Sequence, residues 1–179
     1  MDTSKLDELD AFLSGIEKRA FRIALIATGM EDEALDIVQD SMLKLAQKYS
    51  HKPDTEWPPL FHRILQTKIR DWYRRQAVRN QWRVFFGPTE DDDADFIEQA
   101  RDYKTPGSVD HVNQHRAMAS LEKALHQLPL RQQQAFLLRA WEGLDVAETA
   151  AAMECTQGSV KTHYSRAVHR LRELLEDFQ

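Results

Sequence analysis

Residues Asp145–Ala167, DVAETAAAMECTQGSVKTHYSRA, have the layout of two helices joined by a tight turn. Asp145 stands where an N-cap belongs, and Glu148, three residues on, completes a capping box. Val146 to Met153 then reads as a short helix. Ala147, Ala150, Ala151 and Ala152 are small enough to let a second helix approach closely. Thr156 caps that second helix, in which Val160, Tyr164, Ala167, Leu171, Leu174 and Phe178 recur at steps of 4, 3, 4, 3 and 4. In a helix-turn-helix the second helix reads DNA with side chains of its first two turns. With Val160 and Tyr164 turned to the core, those are Ser159, Lys161, Thr162, His163, Ser165 and Arg166. Lys and Arg suit guanine or phosphate, and Ser and Thr suit several base edges. The amides at Thr156, Gln157 and Gly158 lie at a helix start, where a phosphate is favoured. The competing reading is a helical hairpin whose polar face meets only water.

Working upstream, Leu130 to Trp141 reads as helix ended by Gly143. Met118, Leu121, Leu125 and Leu128 mark another, stopped at Pro129. At the other end of the chain, Lys5 to Ala27 reads as helix, with Ser14-Gly15 as the point where a break would fall and Gly29 as its stop. A second helix starts at Glu31-Asp32-Glu33, acids placed at the positive end of the dipole. Leu35, Val38, Met42, Leu45 and Tyr49 form its apolar stripe. After the loop Ser50 to Asp54, a third helix carries Phe61, Ile64, Leu65, Ile69 and Trp72 inward and its arginines outward, running towards Trp82. No alternation long enough for a sheet is present. All-α architecture follows.

The 179 residues carry 24 Lys+Arg against 29 Asp+Glu, a formal net charge of −5. Its distribution says more than its sum. Residues 62–83 hold Arg63, Lys68, Arg70, Arg74, Arg75, Arg79 and Arg83 against Asp71 alone; residues 84–98 hold six acids and no base; Ser159 to Arg172 holds four bases and no acid. The first basic stripe includes Trp72 and Tyr73. Adjacent positions cannot both be buried against one helix face, so one of the two rings is expected beside Arg74 and Arg75 at the surface, an arrangement that can hold unstacked bases. The chain is expected to be cytosolic: its start is acidic rather than signal-like, and its apolar run Ile23 to Ala27 is far too short to span a membrane. Cys155, the single cysteine, excludes an internal disulfide and a Cys-rich zinc site. His111 and His115 have the spacing of two zinc ligands but no evident third, so neither metal nor cofactor is expected, and no catalytic constellation is present.

Several segments, in order, carry a family resemblance. Ala34-Leu35-Asp36-Ile37-Val38-Gln39-Asp40, Phe61-His62-Arg63-Ile64 and Asp71-Trp72-Tyr73-Arg74-Arg75 lie in the first half. Leu128 to Gln133, Arg139 to Gly143, Gly158 to Thr162, Arg166-Ala167 and Leu171-Arg172 lie in the second. Together they resemble a bacterial RNA polymerase sigma factor of the extracytoplasmic-function (ECF) type. Leu35 stands where the family usually has Glu, and Thr67 where Asn is usual. The resemblance implies two small helical domains: region 2 over 1–83, an acidic linker over 84–107, and region 4 over 108–179. It implies core RNA polymerase, promoter DNA and an anti-sigma factor as partners, without membrane insertion. Asp36, Gln39 and Asp40 would dock on polymerase. Arg63, Lys68, Trp72, Tyr73, Arg74 and Arg75 would bind and help melt the −10 element, with the loop Ser50 to Trp57 pocketing a flipped base. Ser159, Lys161, Thr162, His163, Ser165 and Arg166 would read the −35 element. The nearest alternative is a dimeric helix-turn-helix regulator that binds DNA without polymerase.

Overall fold

The computed structural model describes residues 3–83 and 114–176. The linker expected at 84–107, His111, and the side chains of His115, Trp82 and Phe178 lie outside the described residues. Among the described residues the chain is helical with no strand, in the order α1 (Thr3–Thr28), α2 (Glu31–Tyr49), α3 (Trp57–Arg83), α4 (Gln114–His126), α5 (Leu130–Phe136), α6 (Val146–Met153) and α7 (Gln157–Glu176). A 3₁₀ turn, Asp54–Glu56, precedes α3, and Leu137–Trp141 prolongs α5 as a π-turn.

Helix α1 runs unbroken through Ser14-Gly15; Gly15 is exposed, and a Cβ there would meet no neighbour. It ends at Gly29, whose φ of 68° is the left-handed conformation that glycine adopts without a Cβ clash. Thr28 links the two helices: its hydroxyl donates to Ala24 O at 2.9 Å and accepts the Met30 amide at 3.2 Å. In α2 the buried face is Ala34, Ile37, Val38, Ser41 and Leu45. Leu35, expected in that stripe, is 44 % exposed; Ala34 takes the inward place, and its small side chain suits close packing on α1.

Helix α3 packs on α1 and α2 along one side and on α6 along another. Phe61, Ile64, Leu65 and Ile69 are buried, as the sequence pattern requires. One apolar cluster extends from Leu9, Ile23, Leu45 and Trp72 in the first half to Leu125, Leu137 and Leu171 in the second. The two helical halves are therefore closed on each other. Polar contacts reinforce the seam. Arg22 Nε lies 2.9 Å from Glu122, and its guanidinium stands 5.9 Å over the Trp141 ring. His126 Nδ1 lies 2.7 Å from Ile26 O, which only accepts, so that nitrogen carries the proton. Gln133 Nε2 reaches across to the same Ile26 O at 3.5 Å and donates within its own half to Leu125 O at 3.0 Å.

Candidate nucleic-acid and polymerase interfaces

The α6–α7 unit is held by the caps its sequence announces. Glu148 N donates to Asp145 Oδ1 and Asp145 N to Glu148 Oε2, both at 2.8 Å. Thr149, fully buried, returns its hydroxyl to Asp145 O at 2.7 Å. Helix α6 ends with the Cys155 amide on Ala150 O and the Glu154 amide on Ala151 O. That pair of bonds places Glu154 at φ 53°, ψ 49°, a position where glycine is the usual residue. Thr156 Oγ1 accepts the Ser159 amide at 3.1 Å and opens α7. Ala150 and Ala152 meet Val160 in a small core with Leu138 and Met153, whereas Ala147 and Ala151 face outward.

On α7, Val160 is fully buried and Tyr164 stacks on Phe136 with centroids 6.1 Å apart. Lys161, Thr162, Ser165 and Arg166 are exposed; Ser159 and His163 are half-buried. Thr162 Oγ1 folds back to Gly158 O at 3.1 Å. His163 is held below the usual imidazole range, first by burial and then by the charges of Arg131 and Arg166, so at neutral pH it presents a neutral ring.

Helix α3 carries the second basic surface. Arg74 and Arg75 are exposed, Arg74 lying 3.7 Å from Asp71. Lys68 Nζ meets Asp40 Oδ2 at 2.8 Å. Arg63 reaches Glu154 Oε1 through Nε at 3.2 Å and Nη2 at 3.1 Å. Arg70 bonds Glu154 Oε2 and donates to Met153 O at 2.8 Å. Arg131 also donates to Met153 O, at 2.7 Å. The hydrogen bonds from Arg70 and then Arg63 hold the Glu154 carboxyl below its ordinary range.

Trp72 and Tyr73 are both buried, at 7 % and 4 % exposure, correcting the expectation that one would stand at the surface. Both rings belong to the one apolar cluster that spans the two halves. Their rings meet edge to face at 5.0 Å, and Tyr73 Oη donates to Ala27 O in the last turn of α1. In the loop before α3, Ser50 and Trp57 are buried too, and Trp57 Nε1 donates to Tyr49 O at 3.1 Å.

On α2, Asp36, Gln39 and Asp40 are exposed, and Leu35 and Leu43 stand beside them with 44 % and 55 % of their surface open. Cys155 is half-buried, and burial raises its thiol above the ordinary range, the opposite of what a reactive thiolate needs. Among the described residues no three His, Cys, Asp or Glu side chains gather as a metal site, and no helix is long and apolar enough to cross a membrane.

Residues 118–171 match the family model "Sigma-70, region 4". The chain is 31 % identical over 166 residues to the ECF RNA polymerase sigma factor EcfG of Rhodopseudomonas palustris (strain TIE-1), covering 89 % of this chain and 82 % of that protein. The chain belongs to the ECF RNA polymerase sigma factors. A second relative, the RNA polymerase sigma factor SigV of Bacillus subtilis (strain 168), is 29 % identical over 156 residues, 85 % of this chain and 81 % of that one. The solved structure of the sigma factor RpoE of Bartonella quintana, in complex with the anti-sigma factor NepR, superposes with a TM-score of 0.66 at 25 % identity over 93 % of this chain and 96 % of that chain.

This sigma factor works with core RNA polymerase at promoters, and its helix-turn-helix lies inside the matched region 4 segment. Arg70, Glu154, Arg131 and the His62–Glu142 pair were not singled out from sequence. The one available signal was Glu154 itself, an acid where a tight turn calls for glycine.

Proposed function

We propose that residues 1–83 dock on polymerase and engage the −10 element, that 84–107 link the halves, and that 108–179 recognise the −35 element. Lys161 and Arg166 contact guanine or phosphate in the major groove, Ser159, Thr162 and Ser165 contact base edges or backbone, and neutral His163 packs at the groove wall. The carrying observation is the doubly capped α6–α7 unit, which buries Val160 and leaves Lys161, Thr162, Ser165 and Arg166 on one open face. Asp36, Gln39 and Asp40 dock on polymerase, and the exposed apolar pair Leu35 and Leu43 supports that reading.

Arg63, Lys68, Arg74 and Arg75 hold the opened −10 strand. Trp72 and Tyr73 act beneath them as the packed floor that positions α3; they meet bases only if the halves separate. The chain performs no catalysis, since polymerase supplies the chemistry. Its net charge of −5 disfavours DNA binding by the chain alone. The Bartonella structure is a complex with an anti-sigma factor, which supports an anti-sigma factor as a further partner here. Transcription with core polymerase and mapped start sites tests the reading. Discrete starts that require this chain support it. Tight binding to a palindrome as a dimer without polymerase would favour the regulator alternative.

A further inference from the structure

We infer that the α6–α7 turn masks α3 in the free chain, with Glu154 occupying on Arg63 and Arg70 the place that a nucleic-acid phosphate takes when the halves part. The inference rests on the reading of α3 as the strand-binding helix and adds Arg70 to its contact set.

Three independent features meet at this point. First, Glu154 sits in a left-handed conformation at the end of α6, which a side chain bearing Cβ adopts at a cost. Its carboxylate makes no bond within its own helix-turn-helix: its hydrogen bonds go to Arg63 and Arg70 of the other half. Local folding of the turn therefore does not account for an acid here, whereas contact with α3 does.

Second, the geometry is that of oxyanion capture. One carboxylate oxygen receives two nitrogens of Arg63 and the other receives Arg70, a forked arrangement that guanidinium groups make equally with carboxylate and phosphate. The Met153 carbonyl adds a second acceptor for Arg70, at the negative end of α6. Two anion-like groups thus lie against α3 where a strand's backbone would pass.

Third, the two cations paired with Glu154 continue a stripe that includes Arg74 and Arg75, both open. The turn covers part of a strand-binding surface rather than an unrelated patch. The side chains of Arg63 and Glu154 remain 56 % and 41 % exposed, so a polyanion can compete for the pair directly, and salt weakens it.

The test uses the full-length chain and a fluorescein-labelled single-stranded DNA of about twenty nucleotides and mixed sequence, a length that spans a typical single-strand site. Glu154→Gln keeps the side-chain shape at an exposed position. It should tighten binding and steepen the log affinity against log salt slope by about 1.4, two phosphate contacts at about 0.7 each. Adding Arg63→Ala and Arg70→Ala to that variant should abolish the gain, and Glu17→Gln, which removes an acid elsewhere, should give none. Glu154→Arg, which repels both arginines, should raise the radius of gyration in small-angle scattering. An unchanged radius in Glu154→Arg together with an unchanged slope in Glu154→Gln overturns the mask and leaves the reading of α3 standing. A larger radius in Glu154→Arg without the slope change in Glu154→Gln overturns both.

Discussion

Glu142 Oε2 lies 3.4 Å from His62 Nε2, with only 3 % and 4 % of the two side chains open to solvent. His62 belongs to α3 and Glu142 follows the π-turn after α5, so the pair ties the two halves of the chain together. Arg19 of α1 sets its guanidinium 3.7 Å from the same carboxylate oxygen. Burial by itself raises the Glu142 carboxyl; the hydrogen bond from His62, then the charges of His62 and Arg19, outweigh it and hold the carboxyl below its ordinary value.

A depressed carboxyl favours the folded state where it is ionised in both states, above the unfolded value of about 4.3. That contribution fades as pH falls through the folded value. Urea unfolding should show the wild type losing more stability than Glu142→Gln between about pH 5 and pH 3. Equal losses would show that the pair does not report on folding.

The burial of Trp72 and Tyr73 makes them supports first. Trp72→Ala should cost about 3–5 kcal/mol in denaturant unfolding. Tyr73→Phe should cost about 1–3 kcal/mol, because Ala27 O lies in the last turn of α1, lacks a helical donor and would be left buried without its hydroxyl partner. If Tyr73→Phe unfolded at the wild-type midpoint, that bond would not contribute to the fold.

Polymerase docking through the proposed α2 surface should be separable from folding. Gln39→Ala with Asp40→Arg changes exposed side chains and breaks one ion pair, Asp40 with Lys68. Stability should move by no more than about 1 kcal/mol, while retention of core polymerase by the immobilised variant should fall sharply. Undiminished retention would remove these residues from the interface.

The capping box at Asp145 should count in the stability of α6. Asp145→Ala should cost about 0.5–2 kcal/mol and weaken duplex binding in parallel, since α6 seats α7. Loss of duplex binding with an unchanged unfolding midpoint would point to a direct role for Asp145 on DNA.

How legible each feature was depended on how local its cause is. Asp145, Glu148, Thr156 and Gly29 announced helix boundaries because capping is settled within four residues of chain. The α7 stripe was legible because one face alone is buried. Leu35 was misassigned because the stepping pattern admits either of two neighbouring positions, and Ala34, the smaller, packs inward. Trp72 was rightly placed inward, but one ring of the Trp72–Tyr73 pair was expected at the surface because amphipathic reasoning assumes a single narrow stripe, whereas both rings join the cluster that spans the two halves. The contact between Arg70 and Glu154 spans 84 residues; no periodicity encodes such a pairing, which arises only when the halves close.

The division of labour between the two basic surfaces is tested most directly by permanganate footprinting of polymerase complexes on matched linear and premelted templates. Lys161→Ala or Arg166→Ala should cost about 1–3 kcal/mol in duplex binding if the residue reads a base edge, and a premelted bubble should not restore it. Arg74→Ala with Arg75→Ala, both exposed and outside the core, should bind the closed template nearly as well as wild type, fail to expose its thymines, and recover on the premelted template. Recovery of Lys161→Ala by the bubble, or normal opening of the linear template by the Arg74/Arg75 variant, would contradict the account.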